Sequence, residues 1–234
     1  MDWSQHLQDS HWLKGDDTGS DEAEFIMKAV RLRPGDSVMD APCGAGRIAV
    51  HIAKAGCLVT GIDINPRFIA RAQQRFVNEK LDANLMVLDM RAIDFHNEFD
   101  AIYNWSGSFG YYSDEENANL LKRMAMALKP GGYLLIDQPN RVRLLRHFAH
   151  EYQVENAVRR NRWDAANQRV ESVLYVENKE QPMTFSSVRL YTPAQIKQLL
   201  AKADLSLLAM YGSQDSTSYT RTSRRIIIVA KKAL

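Results

Sequence analysis

Val38-Met39-Asp40-Ala41-Pro42-Cys43-Gly44-Ala45-Gly46-Arg47 is the stretch on which the fold of this chain turns. A short apolar run ends in an acid, and two glycines separated by one residue follow. Ile48, Ala49, Ile52 and Ala53 then recur at helical spacing. The pattern predicts a strand, a tight glycine turn and a helix N-terminus, which together bring backbone N–H groups close to a ligand.

Outward from the turn, strand-like runs alternate with helical patterns over about residues 37–138, as in βαβ units around a parallel sheet. Leu58-Val59-Thr60-Gly61-Ile62 reads as the second strand. Asn65-Pro66 then supplies an N-cap and a first-turn proline for a helix whose apolar face is Phe68, Ile69, Ala72 and Phe76. Leu85–Leu88 and Phe99–Tyr103 are the third and fourth strands. Ser113-Asp114-Glu115-Glu116 is a capping box ahead of Leu120, Leu121, Met124 and Leu128. Lys129-Pro130-Gly131-Gly132 stops that helix, and Tyr133–Asp137 is the fifth strand.

The rhythm changes after that. Val170–Glu177 alternates at period two, a second such run spans Phe185–Tyr191, and no helical pattern separates them. This predicts an antiparallel insertion laid over the edge or open end of the sheet. Thr192-Pro193-Ala194-Gln195 caps one more helix, and the strands Leu205–Tyr211 and Arg225–Ala230 close the chain. The length of 234 residues suits a single domain with an insertion: an N-terminal helical cap over 1–34 and an inserted, substrate-covering β segment over 141–191.

Hydrophobic residues make up 45% of the chain and the formal net charge is +2, too small to argue for a nucleic-acid partner. The charge is unevenly spread. Residues 1–24 carry seven acids against Lys14, and residues 141–169 carry seven arginines against three acids. These are either solvated faces or an acidic cap near a basic insertion, both over a charged ligand. The two cysteines, Cys43 and Cys57, have no metal-ligand spacing and point to a reducing compartment, the cytoplasm. No leader is expected at the N-terminus, and no apolar run is long enough to span a membrane.

The glycine turn alone leaves its ligand open. Gly44-Ala45-Gly46-Arg47-Ile48-Ala49 satisfies the dinucleotide pattern G-x-G-x-x-G/A. Asp63 ends the second strand 19 residues after Gly44, where an acid grips ribose hydroxyls. Nicotinamide dinucleotides and S-adenosylmethionine share that ribose. Asp40 separates them, because a pyrophosphate beside this carboxylate is repelled and a cationic methionyl group is not. Asp89-Met90 offers an acceptor for an adenine amino group and an apolar contact for its ring, and no hydride-transfer apparatus is recognisable.

With Asp40–Arg47, Val59-Thr60-Gly61-Ile62-Asp63, Leu88-Asp89-Met90, Phe99-Asp100-Ala101-Ile102 and Leu128-Lys129-Pro130-Gly131-Gly132 in this order, the chain resembles the class I S-adenosylmethionine-dependent methyltransferases, small-molecule type. The resemblance covers residues 37–138 and, more loosely, the last forty or so. It implies an α/β, doubly wound, seven-stranded sheet of order 3-2-1-4-5-7-6 with strand 7 antiparallel. It also implies that Gly44 and Gly46 admit the methionyl group, Asp63 binds the ribose hydroxyls, Asp89 and Met90 hold adenine, and Asn104 lies near the sulfonium. Asp40 and Ile64 complete the cofactor set with Arg47, which pairs with Asp16, Asp17 or the cofactor carboxylate. Trp12, with Trp3, His6 and His11, is either a lid over this site or an amphipathic segment packed on the body.

The methyl acceptor is expected to be a small metabolite with a reactive O or N. His147, His150, Tyr111 and Tyr112 are candidate bases, with His147 and Tyr112 taken as catalytic and Tyr111 as substrate-binding. Arg141, Arg143, Arg159 and Arg160 either grip an acceptor carboxylate or phosphate, Arg141 and Arg159 foremost, or pair with Glu151, Glu155 and Asp164 across strands. Tyr103-Asn104-Trp105-Ser106 lacks both prolines of the amino-methylating N-P-P-Y motif. Cys43 is read as a packing residue and not as a nucleophile. Competing readings are a catalytically silent cofactor-binding module and an RNA methyltransferase. A homodimer is compatible with the chain; a membrane partner is not expected.

Overall fold

The computed structural model describes residues 19–154, 157–176 and 184–234. Expectations for Trp3, His6, His11, Trp12, Asp16, Asp17 and Glu155 fall outside these residues. Among the described residues the strands are β1 (Ser37–Asp40), β2 (Leu58–Asp63), β3 (Asn84–Val87), β4 (Phe99–Asn104), β5 (Leu128–Pro139), β6 (Glu151–Val154), β7 (Ala157–Asp164), β8 (Arg169–Val176), β9 (Thr184–Arg189), β10 (Leu205–Tyr211) and β11 (Arg225–Lys232). The helices are α1 (Ser20–Ala29), α2 (Ala49–Lys54), α3 (Pro66–Asn78), α4 (Asp114–Ala127), α5 (Arg141–Arg146) and α6 (Pro193–Ala201).

Seven strands form one sheet in the order β10-β11-β5-β4-β1-β2-β3. The five from β3 to β5 run parallel, and β11 pairs antiparallel with both β5 and β10. This is the strand order that the motifs imply. Side chains alternate between the two faces of the sheet, so each strand feeds two cores. Val38, Ala101, Tyr103, Leu135, Ile227 and Val229 pack with α1 and α2, whereas Met39, Ile102, Leu134, Ile136 and Ile228 pack with α4 and α6.

The caps form as the sequence indicates. Asn65 accepts from the Arg67 amide at 3.0 Å ahead of Pro66, and complete capping boxes join Ser113 to Glu116 and Thr192 to Gln195. The helix after the glycine turn is shorter than expected. α2 has six residues and starts three positions after Gly46, so the turn is followed by a short helix and not by a long one. Strand β5 begins at Leu128, because Lys129–Gly132 continue it where a plain stop was expected.

The insertion holds four antiparallel strands in the order β6-β7-β8-β9, twice the number read from the alternation. β6 is four residues long, and in β7 the charges of Arg159, Arg160 and Arg162 mask the apolar period. The register nevertheless gives β7 two distinct faces. Arg160 and Arg162 point outward onto Glu151 (2.7 Å) and Glu171 (2.6 Å), while Arg159, Asn161 and Trp163 face inward and are half-buried.

Candidate active site

The first part of the candidate site is built at the carboxyl ends of β1, β2 and β4. Gly44 and Gly46 both adopt left-handed backbone angles (φ +53° and +73°), which only glycine takes without strain. The Gly44 amide donates to Asp63 Oδ2 at 3.0 Å, and the Asn65 amide to Asp63 Oδ1 at 2.8 Å, so one carboxylate ties the glycine turn to the start of α3. A Cβ at Gly46 would press on Ala72 of α3, whereas a Cβ at Gly44 would meet open space among the described residues. The open side of the turn is therefore a cradle that a larger side chain would fill.

Two further polar groups, Asp40 and Asn104, stand at the same strand ends. Asp40 is buried at the end of β1. Burial holds its pKa well above the usual carboxylate range, and the Tyr103 hydroxyl beside it, though not in hydrogen-bond geometry, offsets part of that rise. Burial likewise raises the Asp63 pKa against its two backbone donors. Asn104 Nδ2 donates to the Ala41 carbonyl at 2.6 Å and approaches Met90 Sδ at 3.5 Å, joining β4, the turn and the β3 loop. Its Oδ1 is buried with no partner among the described residues. A desolvated acid, an orphaned amide oxygen and an open glycine cradle are what a cationic amino-acid group requires. Ile64, half-buried, follows Asp63 on the rim.

Two expected contacts differ in detail. Arg47 pairs with Glu22 of α1 at 3.0 Å, which fastens the helix after the turn to the N-terminal segment. Asp89 caps the 3-10 turn Met90–Ala92 and is engaged on both oxygens: Oδ1 accepts from the Arg91 amide (2.8 Å) and the Tyr112 hydroxyl (3.0 Å), and Oδ2 from Arg91 Nη2 (2.6 Å). These contacts hold its carboxyl below the usual range despite partial burial. Tyr112 was expected to serve as a base. Its hydroxyl is a donor to Asp89, and burial beside that carboxylate pushes its pKa far up, which disfavours the phenolate that a base requires.

A second concavity lies between the end of the main sheet and the inner face of the insertion. A cavity of about 380 Å³ is lined by Ser106, Gly107 and Tyr111 from the loop after β4, by His147 after α5, and by Arg159 and Asn161 of β7, among others. His147, Tyr111 and Arg159 thus line one space. Arg141 is placed elsewhere. Its guanidinium lies over the Trp163 ring and donates to Gln168 at 2.7 Å, because α5 turns it toward the β7–β8 end of the insertion. Arg143 donates to the Thr222 carbonyl at 3.0 Å.

Sequence reasoning missed the residues that shape the loop after β4. Asp137, fully buried at the end of β5 and paired with Arg225, accepts from the Ser106 amide at 2.9 Å. Arg169 donates to the carbonyls of Gly110, Tyr111 and Tyr112 at 3.1, 2.8 and 2.9 Å, and to Ser187 of β9 at 2.8 Å. The Arg189 amide donates to Gly110 at 2.8 Å. The only sequence signal was an acid at a strand end and one arginine within an arginine-rich run.

Comparison with known proteins agrees with this geometry. Residues 38–132 match the family model of a methyltransferase domain. The cypemycin N-terminal methyltransferase of a Streptomyces species is 25% identical over 207 residues, 85% of this chain and 84% of that protein. A Geobacillus protein (strain WCH70) bearing a methyltransferase name is 31% identical over 101 residues, 43% of this chain and 41% of its own length, so that match spans well under half of the relative. In fold, the chain superposes on an S-adenosylmethionine-dependent methyltransferase from Clostridium acetobutylicum with a TM-score of 0.79 at 18% identity, covering 94% of both chains. Motifs and strand order agree with these matches: residues 38–132 carry the pattern of a methyltransferase domain, and the chain has the fold of the S-adenosylmethionine-dependent methyltransferases.

Proposed function

We propose that the protein transfers the methyl group of S-adenosylmethionine to an oxygen or nitrogen of a small molecule held in the 380 Å³ cavity. The observation that carries this reading is the shared loop: residues 104–111 contribute Asn104 to the donor cluster and Ser106, Gly107 and Tyr111 to the acceptor cavity. When bound, S-adenosylmethionine supplies a methyl carbon whose bond to sulfur breaks, both electrons going to sulfur, as the acceptor lone pair forms the new bond. The protein's part is proximity and alignment. Asp40 and Asn104 hold the cationic end, Asp63 takes the ribose hydroxyls, and Met90, set by the turn that Asp89 caps, packs the adenine ring. His147 takes the proton of a hydroxyl acceptor, and an amine releases its proton to solvent after transfer.

In this reading the four strands β6–β9 of the insertion are the roof over the acceptor. Among the described residues no helix is long and apolar enough to cross a membrane. The two unpaired, buried cysteines support a cytoplasmic setting. The cavity's size favours a small acceptor over a nucleic acid. Incubation with methyl-labelled donor and pooled metabolites tests this. Labelled small molecule and demethylated donor are expected in equal amounts; demethylated donor without labelled product would contradict the proposal.

A further inference from the structure

The glycine turn is fastened from behind as well as along its own backbone. The Cys43 amide donates to the Ile62 carbonyl at 2.8 Å, the Gly44 amide to Asp63 at 3.0 Å and the Gly46 amide to the Cys43 carbonyl at 3.0 Å. Of the four amides at 43–46, that of Ala45 is the one without a partner among the described residues. The Ala45 carbonyl is taken from the α3 side, where Arg75 Nε donates to it at 3.0 Å. The 45–46 peptide is therefore held at both ends, its N–H by Cys43 and its C=O by Arg75.

Helix α3 comes this close because residue 46 has no side chain. A Cβ at Gly46 would lie 3.1 Å from the Ala72 Cβ and 3.5 Å from a ring carbon of Phe76. Ala72 and Phe76 are buried and Arg75 half-buried on that face of α3, while Arg71, Gln73 and Gln74 are exposed. The same glycine brings a liability. Glycine takes positive and negative φ almost equally, so the 45–46 peptide can turn over at little local cost. Turned over, it would swing the Ala45 carbonyl away from α3 toward the open side, where Gly44 leaves room. A carbonyl oxygen there would face the carboxylate of the donor's amino-acid end, and the two would repel.

Resting on the proposed seating of the donor's amino-acid end in this cradle, we infer that Arg75 is a positioning residue for donor binding: it pins the Ala45 carbonyl against α3 and keeps that oxygen out of the cradle. Arg75 acts through the turn. Its effect is confined to the end of the donor that the turn receives, so a donor fragment that lacks the amino-acid end should not register its loss.

The test is calorimetric binding of two probes to the full-length protein: S-adenosylhomocysteine, and methylthioadenosine, which keeps the adenine, ribose and sulfur but has no amino-acid end. The unaltered protein is expected to bind S-adenosylhomocysteine at least about tenfold more tightly than methylthioadenosine. Arg75→Met keeps the aliphatic stem and removes the donor. It is expected to weaken S-adenosylhomocysteine by about tenfold and to leave methylthioadenosine within about threefold. Arg75→Lys, which retains an N–H donor, is expected to recover part of the loss, and Gln73→Met, exposed on the same helix, to change neither probe. An Arg75→Met protein that melts normally and keeps the full preference for S-adenosylhomocysteine would overturn the inference while leaving the seating of the donor intact. Equal weakening of both probes would also overturn it, since Arg75 would then support the whole site and not the turn. Equal binding of the two probes by the unaltered protein would contradict the seating itself, and the inference with it.

Discussion

Asp40 is a carboxylate placed where the fold alone gains nothing from it. It is buried at the end of β1 with its pKa raised by desolvation. Such a group stabilises the fold only while protonated, and that contribution is lost as pH rises through its raised pKa. Asp40→Asn should therefore melt higher than the parent at neutral and alkaline pH in the absence of donor, by about 1 kcal/mol or more, and the two should converge in acid. The same substitution should weaken donor binding by at least about tenfold, since it removes the charge that faces the cationic group. A variant that melts lower yet binds donor normally would refute this role. His147 carries a separate prediction. With a hydroxyl acceptor, His147→Gln should lower kcat by about a hundredfold and leave donor affinity unchanged by calorimetry.

These residues were legible because strand ends are. An acid or amide closing an apolar run stands at the carboxyl edge of a parallel sheet, where such folds bind ligands. Asp40 and Asp63 were singled out in that way, and Asn104 through the resemblance to the methyltransferases. Asp137 also closes a strand, but its work on Ser106 spans 31 residues and shows only when β4 and β5 are laid side by side. Tyr112 misled because a tyrosine near the site reads as a base until its hydroxyl is seen on Asp89.

At the scale of elements, the loop after β4 is gripped from two sides. Asp137 holds Ser106 from the sheet, and Arg169 gathers three consecutive carbonyls from the insertion. Arg169→Ala should loosen Tyr111 and lower kcat by about tenfold to a hundredfold while donor affinity stays within about threefold. Arg169→Lys should restore only part, because an ammonium lacks the planar fork. Equal losses in donor affinity and kcat would show general unfolding instead. Gly110 marks the closest approach: its φ is +109°, and a Cβ there would run into the Arg189 carbonyl. Gly110→Ala should cost about 2 kcal/mol or more in denaturant unfolding.

The main sheet was readable element by element because apolar strands and capped helices announce themselves locally. β6 and β7 were not, because β7 spends its outward positions on arginines and owes its pairing to Glu151 and Glu171 on neighbouring strands. Those same arginines look alike in sequence. Only the period of two, once the strand is known, separates Arg159 from Arg160 and Arg162.

The whole molecule joins two half-sites that share a loop. In the proposed function the glycine turn with Asp40, Asp63 and Asn104 takes the donor, and the space under the inserted sheet takes the acceptor. If the division is right, each half can be blocked alone. The most direct measurement is methyl transfer and donor affinity in Ser186→Trp, a change on the inner face of β9 that fills the acceptor cavity without touching the turn. Transfer to small molecules should fall at least about a hundredfold while the donor Kd, by calorimetry, stays within about threefold. Undiminished transfer by a folded Ser186→Trp protein would show that the acceptor binds elsewhere and contradict the two-half architecture.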